Sequence, residues 1–395
     1  MAVSSKLNIA ETLHDCNATS SGSSLLPILS DELIAEILLR IPVKLLLKFR
    51  CVCKSWKSLI SDPHFVKKHL CMSTIDPNSI DHRIMLISER INFTPISCSV
   101  SSLYENPSSN VVCLSHPLNG CCYRKMAGSC DGLLCLAISD NNVLLWNPTI
   151  GVSKKLPCLC NEWKNKLPCQ GNENQSGCFT VFGFGYDHLI GDYKVVAVFC
   201  YVSGADCADL LYKTEVMVCA LCTNSWRGIQ EFPYCGPCKE SGKFVSGCLI
   251  WIVGCLNDSS NPWKIISLDL GTETYQEVLQ PDHGVSNLQP TVGVLRDCLC
   301  ITYNHFTVSD STVWLMKEYG VKDSWTRLVT VPYFQNPEYL GNKPLFISEN
   351  GEVLMQFARI VVLYNPSTNS FRFPGIQNNI GWIDVVVYVE SLVSP

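Results

Sequence analysis

The residues of this 395-residue chain that could do chemistry are its 24 cysteines. Cys219-x-x-Cys222 and Cys235-x-x-Cys238 are separated by twelve residues, close to zinc-ribbon spacing, and on spacing alone they are the strongest candidate site. Against that reading, Glu215 to Leu221 alternates like a strand, which sends Cys219 and Cys222 to opposite faces, whereas a zinc knuckle needs a tight turn. Cys235-Gly-Pro-Cys238 also has the form of a thioredoxin-type redox pair. That chemistry needs the first thiol at a helix N-terminus to lower its pKa. Ser241-Gly242 and the β-branched stretch after it oppose a helix there and point to a loop between strands. Gly128-Ser-Cys130-Asp-Gly132 mimics a nucleophile elbow, but an elbow leads into a helix, and Leu133 to Ile138 reads as a strand. None of the eight histidines can be placed near it. Gly236 to Lys243 misses the P-loop count by one residue and lacks the Ser/Thr. One enzyme reading remains as the alternative, a thiol- or zinc-dependent protein using Cys219, Cys222, Cys235 and Cys238.

The elements that would carry these residues divide the chain. Apolar residues make up 47% and charged residues 16%, which is the composition of a folded protein. The net charge of −5 gives no reason to expect nucleic acid as a partner. The charge is uneven: residues 25–70 hold eight Lys/Arg against four Asp/Glu, a balance of +4, which leaves −9 for the rest. Lys44, Lys48, Arg50, Lys54 and Lys57 cluster there, as a solvated helical face or as a surface for an acidic partner. The first 24 residues have neither a basic start nor an apolar core of the signal-peptide kind. The longest apolar run, around Gly247 to Leu256, is too short to span a membrane. The expectation is a soluble intracellular chain, cytoplasmic or nuclear or both, with reduced thiols, and with no membrane partner and no cofactor.

Residues 1–24 are Ser- and Asn-rich and read as a disordered tail. From Leu25 the pattern turns helical. Ser30 is an N-cap with Asp31 and Glu32 in the first turn. Leu33, Ile34, Ile37, Leu38 and Ile41 then share one face, and Pro42 stops the helix. A second short helix is expected from about Lys44 to Arg50. A third carries Trp56, Leu59 and Ile60 and ends at Asp62-Pro63. Below about 70–80 residues one core rarely supplies more than ~3–5 kcal/mol. This segment nevertheless holds more large apolar residues than three short helices can hide, so the rest of the chain or another protein must cover the surplus.

The Leu-Pro start, Ile37-Leu-Leu-Arg-Ile-Pro-Val-Lys44, Phe49-Arg-Cys-Val-Cys-Lys-Ser-Trp56 and Asp62-Pro-His-Phe65 together resemble an F-box over residues 25–70. That family's module is a three-helix element that docks the Skp-family adaptor of cullin–RING ubiquitin ligases. The resemblance implies adaptor contacts at Leu26, Pro27, Leu33, Ile34, Ile37, Leu38, Ile41, Pro42, Val43, Leu46, Phe49, Val52, Cys53 and Trp56. One position departs. Leu45 stands where the family has a Ser that would cap the second helix, an expected loss of about 1 kcal/mol.

From about Arg83 onward, short apolar runs alternate with Gly, Asn, Asp, Ser and Pro clusters, an all-β signature. One phrase recurs: strand, polar turn, aromatic, strand. It runs from Val216 to Trp226, from Ile265 to Tyr275, from Thr312 to Trp325 and from Val361 to Phe371, with an earlier copy at Val143 to Gly151. The later aromatics sit 49, 50 and 46 residues apart. The polar stretch Cys158–Gly177 accounts for the wider gap upstream as a long loop. A period near 50 suggests propeller blades of kelch length, each unable to bury its faces alone. The kelch Gly-Gly doublet is absent. Gly128-Ser-Cys-Asp-Gly-Leu-Leu-Cys135, Leu145-Trp-Asn-Pro-Thr149, Phe182-Gly-Phe-Gly-Tyr-Asp187, Asp192-Tyr-Lys-Val-Val196 and Val387-Tyr-Val-Glu-Ser-Leu-Val-Ser-Pro395 instead resemble the F-box-associated domain of plant F-box proteins, over residues 80–395. The final stretch Ile383–Val393 is expected to close the ring by pairing near Arg83–Ser88 or Cys130–Ile138.

The expected architecture is therefore a small three-helix F-box followed by an all-β, β-propeller-like domain. The resemblance implies a non-catalytic substrate-recognition subunit of an SCF-type ubiquitin ligase. Its partners would be the Skp-family adaptor, cullin through that adaptor, and an unidentified target protein.

Overall fold

The computed structural model describes residues 29–75, 82–88, 94–105, 111–114, 117, 125–160, 178–202, 212–234, 236–254, 262–282, 290–305, 310–333, 342–376 and 381–395. Four helices come first. α1, Asp31–Leu38, is capped by Ser30, whose Oγ accepts from the Leu33 amide at 3.4 Å, and Asp31 and Glu32 lie in its first turn. α2 spans Val43–Phe49. Its cap position is Pro42, which makes no side-chain capping bond, and Leu45 lies within the first helical turn. The expected loss of a cap at Leu45 is corrected accordingly: no capping site exists at that position. α3, Lys54–Ser61, is capped by a thiol, with Cys53 Sγ accepting from the Trp56 amide at 3.5 Å. Asp62-Pro63 does end α3, but it also starts a fourth helix, α4, Pro63–Ile75. Asp62 Oδ1 accepts from the amides of His64 and Phe65 at 2.9 and 3.1 Å. Proline suits the first helical position because its missing N–H is not needed there. Leu38, Leu39, Val43, Leu46, Ile60 and Phe65 form the core of this module.

Among the described residues, twenty-four strands follow in six four-stranded antiparallel sheets. Blade 1 holds β1 (His82–Ser88), β2 (Ile96–Ser99) and β3 (Val112–Cys113), with a helix, α5 (Val100–Glu105), before β3. Blade 2 is β4 (Lys125–Cys130), β5 (Leu133–Ser139), β6 (Asn142–Asn147) and β7 (Val152–Lys155). Blade 3 is β8 (Phe179–Asp187), β9 (Asp192–Val202), β10 (Tyr212–Ala220) and β11 (Ser225–Gly228). Blade 4 is β12 (Lys243–Val245), β13 (Cys248–Gly254), β14 (Trp263–Asp269) and β15 (Tyr275–Val278). Blade 5 is β16 (Thr291–Leu295), β17 (Cys298–His305), β18 (Asp310–Met316) and β19 (Trp325–Pro332). Blade 6 is β20 (Asn342–Ile347), β21 (Val353–Phe357), β22 (Ile360–Asn365) and β23 (Ser370–Arg372). The last strand, β24 (Trp382–Val389), returns to blade 1 and pairs antiparallel with β1, Arg83 opposite Tyr388 and Met85 opposite Val386. This is the first of the two pairings the sequence offers for its C-terminal stretch. The buried run Cys248–Gly254, the longest apolar stretch of the sequence, is one blade strand.

The repeated aromatics have a physical role. Trp226, Tyr275, Trp325 and Phe371 all lie in the outermost strand of their blades, opposite Cys219, Leu268, Met316 and Tyr364. Three reach back to the preceding blade. Trp226 Nε1 donates to the Pro157 carbonyl at 2.7 Å, Tyr275 Oη to Gln230 at 3.4 Å, and Trp325 Nε1 to Leu279 at 2.9 Å. In blade 6 the neighbouring Tyr364 donates to Thr330 at 3.3 Å instead. Each tie buries an apolar ring and satisfies one carbonyl at the outer rim, where adjoining blades diverge. In blade 2 the matching position, opposite Trp146, is Ser153.

At the axis the sequence inverts this logic. In β8 the run Phe182-Gly-Phe-Gly sends Phe182 and Phe184 into the cluster shared with blade 2. A Cβ on Gly185 would stand 2.2 Å from the Phe244 ring of β12, so the inner strands can meet there only without a side chain.

Candidate functional site

Two features of the helical module carry functional weight: an apolar surface left open and a seam that is closed. Leu29, Leu33 and Ile37 recur every fourth residue and are 51%, 53% and 50% exposed, and Val52 is 62% exposed. Pro42 and Cys53 are exposed beside them, and Ile34, Ile41, Phe49 and Trp56 are half-buried. Leu38, Val43 and Leu46, expected as contacts, are buried in the module's own core, so they shape the open face from beneath. Leu26 and Pro27 lie outside the described residues. Sequence reasoning did not select Leu29 or Leu45, both exposed apolar residues. For Leu29, the four-residue spacing to Leu33 and Ile37 was the available signal.

The closed seam is made by the end of the chain. Leu392 is buried in the core of the helical module, while Val393 joins the cluster between blades 2 and 3, against which Val66 and Leu70 of α4 also pack. Asn147, fully buried at the end of β6, donates from Nδ2 to the carbonyls of Ser391 at 3.1 Å and Val393 at 2.7 Å. A Cβ on Gly132, at φ +80°, would stand 2.4 Å from Ser391 Oγ. Glu390, nearly buried, pairs with Lys44 of α2 at 2.9 Å and Arg83 of β1 at 3.2 Å. Lys44, one of the clustered basic residues, therefore gains a partner on the tail while its side chain remains 57% exposed. The surplus apolar surface of the module is covered in part by the chain's own last residues. Removing side-chain volume at a buried leucine costs about 2–5 kcal/mol. Leu392→Ala should therefore speed amide hydrogen exchange in α1 and α2 while exchange in the propeller strands stays slow. Unchanged exchange in both would show that the module does not depend on this contact.

The seam also sets which way the propeller faces. β24 runs from Trp382 toward the module, and β4 runs beside it in the same sense: the Met126 amide donates to Asp384 Oδ2 at 2.7 Å near the start of both strands, and Gly132 meets Ser391 near their ends. The module thus sits where the inner strands end, and the other face is where they begin.

Among the described residues, the cysteine motifs are not brought together by the fold. Cys219 is buried between blades 2 and 3, Cys222 is exposed, and Cys238 packs among residues of the cluster shared by blades 4 and 5. Cys235 lies outside the described residues. Burial pushes the Cys219 thiol up to about 11 and raises that of Cys238, while a hydrogen bond with Asp192 raises that of Cys222. A raised thiol is a poor nucleophile at neutral pH. Asp131-Gly132 is a two-residue turn with both φ positive, leading from β4 into β5, and Cys130 is buried before it, its thiol raised by burial. The elbow-like motif is a hairpin.

Comparison with known proteins agrees with this architecture. A family model described as the F-box associated beta propeller domain matches residues 80–395, and one described as the F-box domain matches residues 26–68. An F-box/kelch-repeat protein of Arabidopsis thaliana is 32% identical over 372 residues, covering 92% of this chain and 95% of its own length. F-box/WD-40 repeat-containing protein 1 of the same plant is 27% identical over 359 residues, covering 85% and 77%. Among solved structures, an oligogalacturonate lyase in complex with manganese aligns with a TM-score of 0.39 at 11% identity, over 71% of this chain and 70% of its own, a likeness too slight to bear on chemistry.

Proposed function

The chain belongs to the family of F-box proteins that carry an F-box-associated β-propeller, and from that premise we propose that it is the substrate-recognition subunit of an SCF-type ubiquitin ligase. Residues 25–70 dock a Skp-family adaptor and, through it, cullin, in the cytoplasm or nucleus. Residues 80–395 hold a target protein on the propeller face turned away from the module. The chain itself makes and breaks no bond. Its contribution is proximity, which raises the effective concentration of a target lysine near the ubiquitin-loading machinery.

The observation that supports docking is the exposed stripe of Leu29, Leu33 and Ile37 with Val52, an apolar surface that the chain's own tail leaves uncovered. Leu38, Val43 and Leu46 are buried within the module, so the exposed and half-buried members are the ones open to a partner on its surface. Ile37→Asp places a charge at the centre of an apolar contact, at a cost of several kcal/mol. Adaptor capture on co-expression should fall by about a hundredfold or more, while the propeller melts as before because Ile37 touches none of it. A variant that still co-purifies with adaptor at the wild-type level would sink the docking assignment.

A further inference from the structure

We propose that the mouth of the central channel, on the face turned away from the helical module, is a binding site for an oxyanion, the phosphate or carboxylate group of a ligand. The anion site stands on its own geometry. Its role as an anchor for the target's acidic group rests on the receptor reading above.

Each of the six inner strands opens on that face with a polar residue within its first three positions: Lys125, Thr180, Lys243, Thr291, Lys343 and Asp384. The three lysines come from alternate blades, 2, 4 and 6, and so surround the axis. The hydroxyls of Thr180 and Thr291, from two of the intervening blades, are buried and make no hydrogen bond. A buried hydroxyl without a partner costs free energy that a ligand oxygen would recover.

The acidic residues at the mouth do not match the lysines one for one. Lys125 pairs with Glu240 at 3.5 Å and donates to the Lys239 carbonyl at 2.5 Å. Asp384 is engaged by the Met126 amide. Among the described residues, the ammonium groups of Lys243 and Lys343 make no ion pair or hydrogen bond, though the charge of Glu240 acts on both. Burial, and then the charges of Lys343 and Lys125, push the Lys243 ammonium down to about 8, against the opposing pulls of Glu240 and Asp384. Cations held together in a half-buried ring carry an electrostatic cost that a bound anion removes. Beside the ring lies a cavity of about 220 Å³ between blades 2 and 3, lined by Lys125, Thr180, Lys239 and Ser241 with Asp140 at its wall. Lys239 lies over the Phe179 ring at 5.2 Å, which leaves its ammonium within the same wall. The ring and the cavity share Lys125 and Thr180, so a group bound at the axis can continue into the cavity as part of a longer ligand.

The test uses the full chain with inorganic phosphate, an acetylated tetra-aspartate peptide and a phosphoserine peptide as probes, against chloride at matched ionic strength. Phosphate should raise the melting temperature in a saturable way, by the amount that RT ln(1 + [L]/Kd) sets. Lys243→Met with Lys343→Met should weaken that binding by about tenfold or more. Without phosphate, the same double variant should melt no lower than wild type, because it loses mutually repelling charges. Lys243→Arg should retain binding. Tighter binding of either peptide than of phosphate assigns the group to a polypeptide target. Phosphate binding with no peptide binding keeps the anion site but overturns its role as a target anchor. An equal response in wild type and double variant, or no response in wild type, overturns the site itself. Adaptor capture measured on the same samples reports the docking reading separately, since the module lies on the far side of the ring.

Discussion

Ending the chain at Gly381 should yield protein that aggregates on expression, because it removes the strand that closes the ring. β24 is the inner strand of blade 1, with β1 on its hydrogen-bonded side and β20 and β4 as its neighbours across the blade interfaces. Its loss exposes the edge of β1, in which Ile84, Met85, Leu86 and Ile87 are all buried. An unpaired apolar edge of that kind templates intermolecular pairing. Trp382, Val385 and Tyr388 leave two clusters, the Met126 amide loses Asp384, and Ser97 loses its 3.0 Å partner Tyr388 Oη. Leu392 also leaves the helical module, so the truncation strips both domains at once. Supplying residues 382–395 as a separate peptide during refolding should rescue part of the soluble yield. A soluble, cooperatively melting 1–381 chain would show that the ring closes without this strand.

What the sequence reveals and what it hides follow the range of the contacts. Local signals read true for the Ser30 cap, the strand through Cys219 and the Asp131-Gly132 turn, all set by neighbours within a few residues, whereas Cys222 lies beyond the end of β10 in the turn to β11 and strand alternation does not place it. The aromatic period is legible because each blade repeats the same tie to the blade before it. Blade 1 escaped that reading, since its strands come from both ends of the chain and α5 interrupts β2 and β3. α4 was readable but ambiguous: Asp-Pro is a stop for one helix and a cap plus first residue for the next. The seam was not readable. Nothing near Asn147, Gly132 or Leu392 in the sequence states that they meet, across more than 240 residues in the case of Asn147. The polar ring at the channel mouth becomes visible only when six inner strands are set side by side.

Lys194→Met should cost about 3–5 kcal/mol at neutral pH, the usual price of orphaning one member of a buried ion pair. Lys194 of β9 is buried, with its ammonium 2.8 Å from Asp187 Oδ2, 2.7 Å from Glu273 Oε1 and 2.6 Å from the Leu270 carbonyl. Arg227 of β11 also pairs with Glu273. Asp187 closes the β8–β9 turn of blade 3 and Glu273 sits in the β14–β15 turn of blade 4, so the network clamps one blade to the next. This gives a structural reason for the Asp187 and Lys194 of two sequence phrases: Lys194 neutralises Asp187 within blade 3 and Glu273 across the interface with blade 4. Burial pushes the Asp187 carboxyl up, but Lys194 and the amides of Leu189 and Ile190 more than reverse that, and its pKa ends below the usual range. Glu273 is lowered in the same way by Arg227 and Lys194 against burial. A depressed carboxylate stabilises the fold above its unfolded pKa, about 4, and that stability is lost as pH falls through the lower folded value. Lys194 is raised by the same partners against burial, so its share is present below its unfolded pKa, about 10.4, and is lost at higher pH. Wild-type stability against urea should therefore be level from about pH 5 to 9 and fall below about pH 4. In Lys194→Met the Asp187 carboxylate is buried without its cation, and protonation relieves it, so the deficit relative to wild type should shrink on acidification. A deficit that is independent of pH between 3 and 7, on the order of that for an apolar cavity, would show that the lysine acts through packing rather than through its charge.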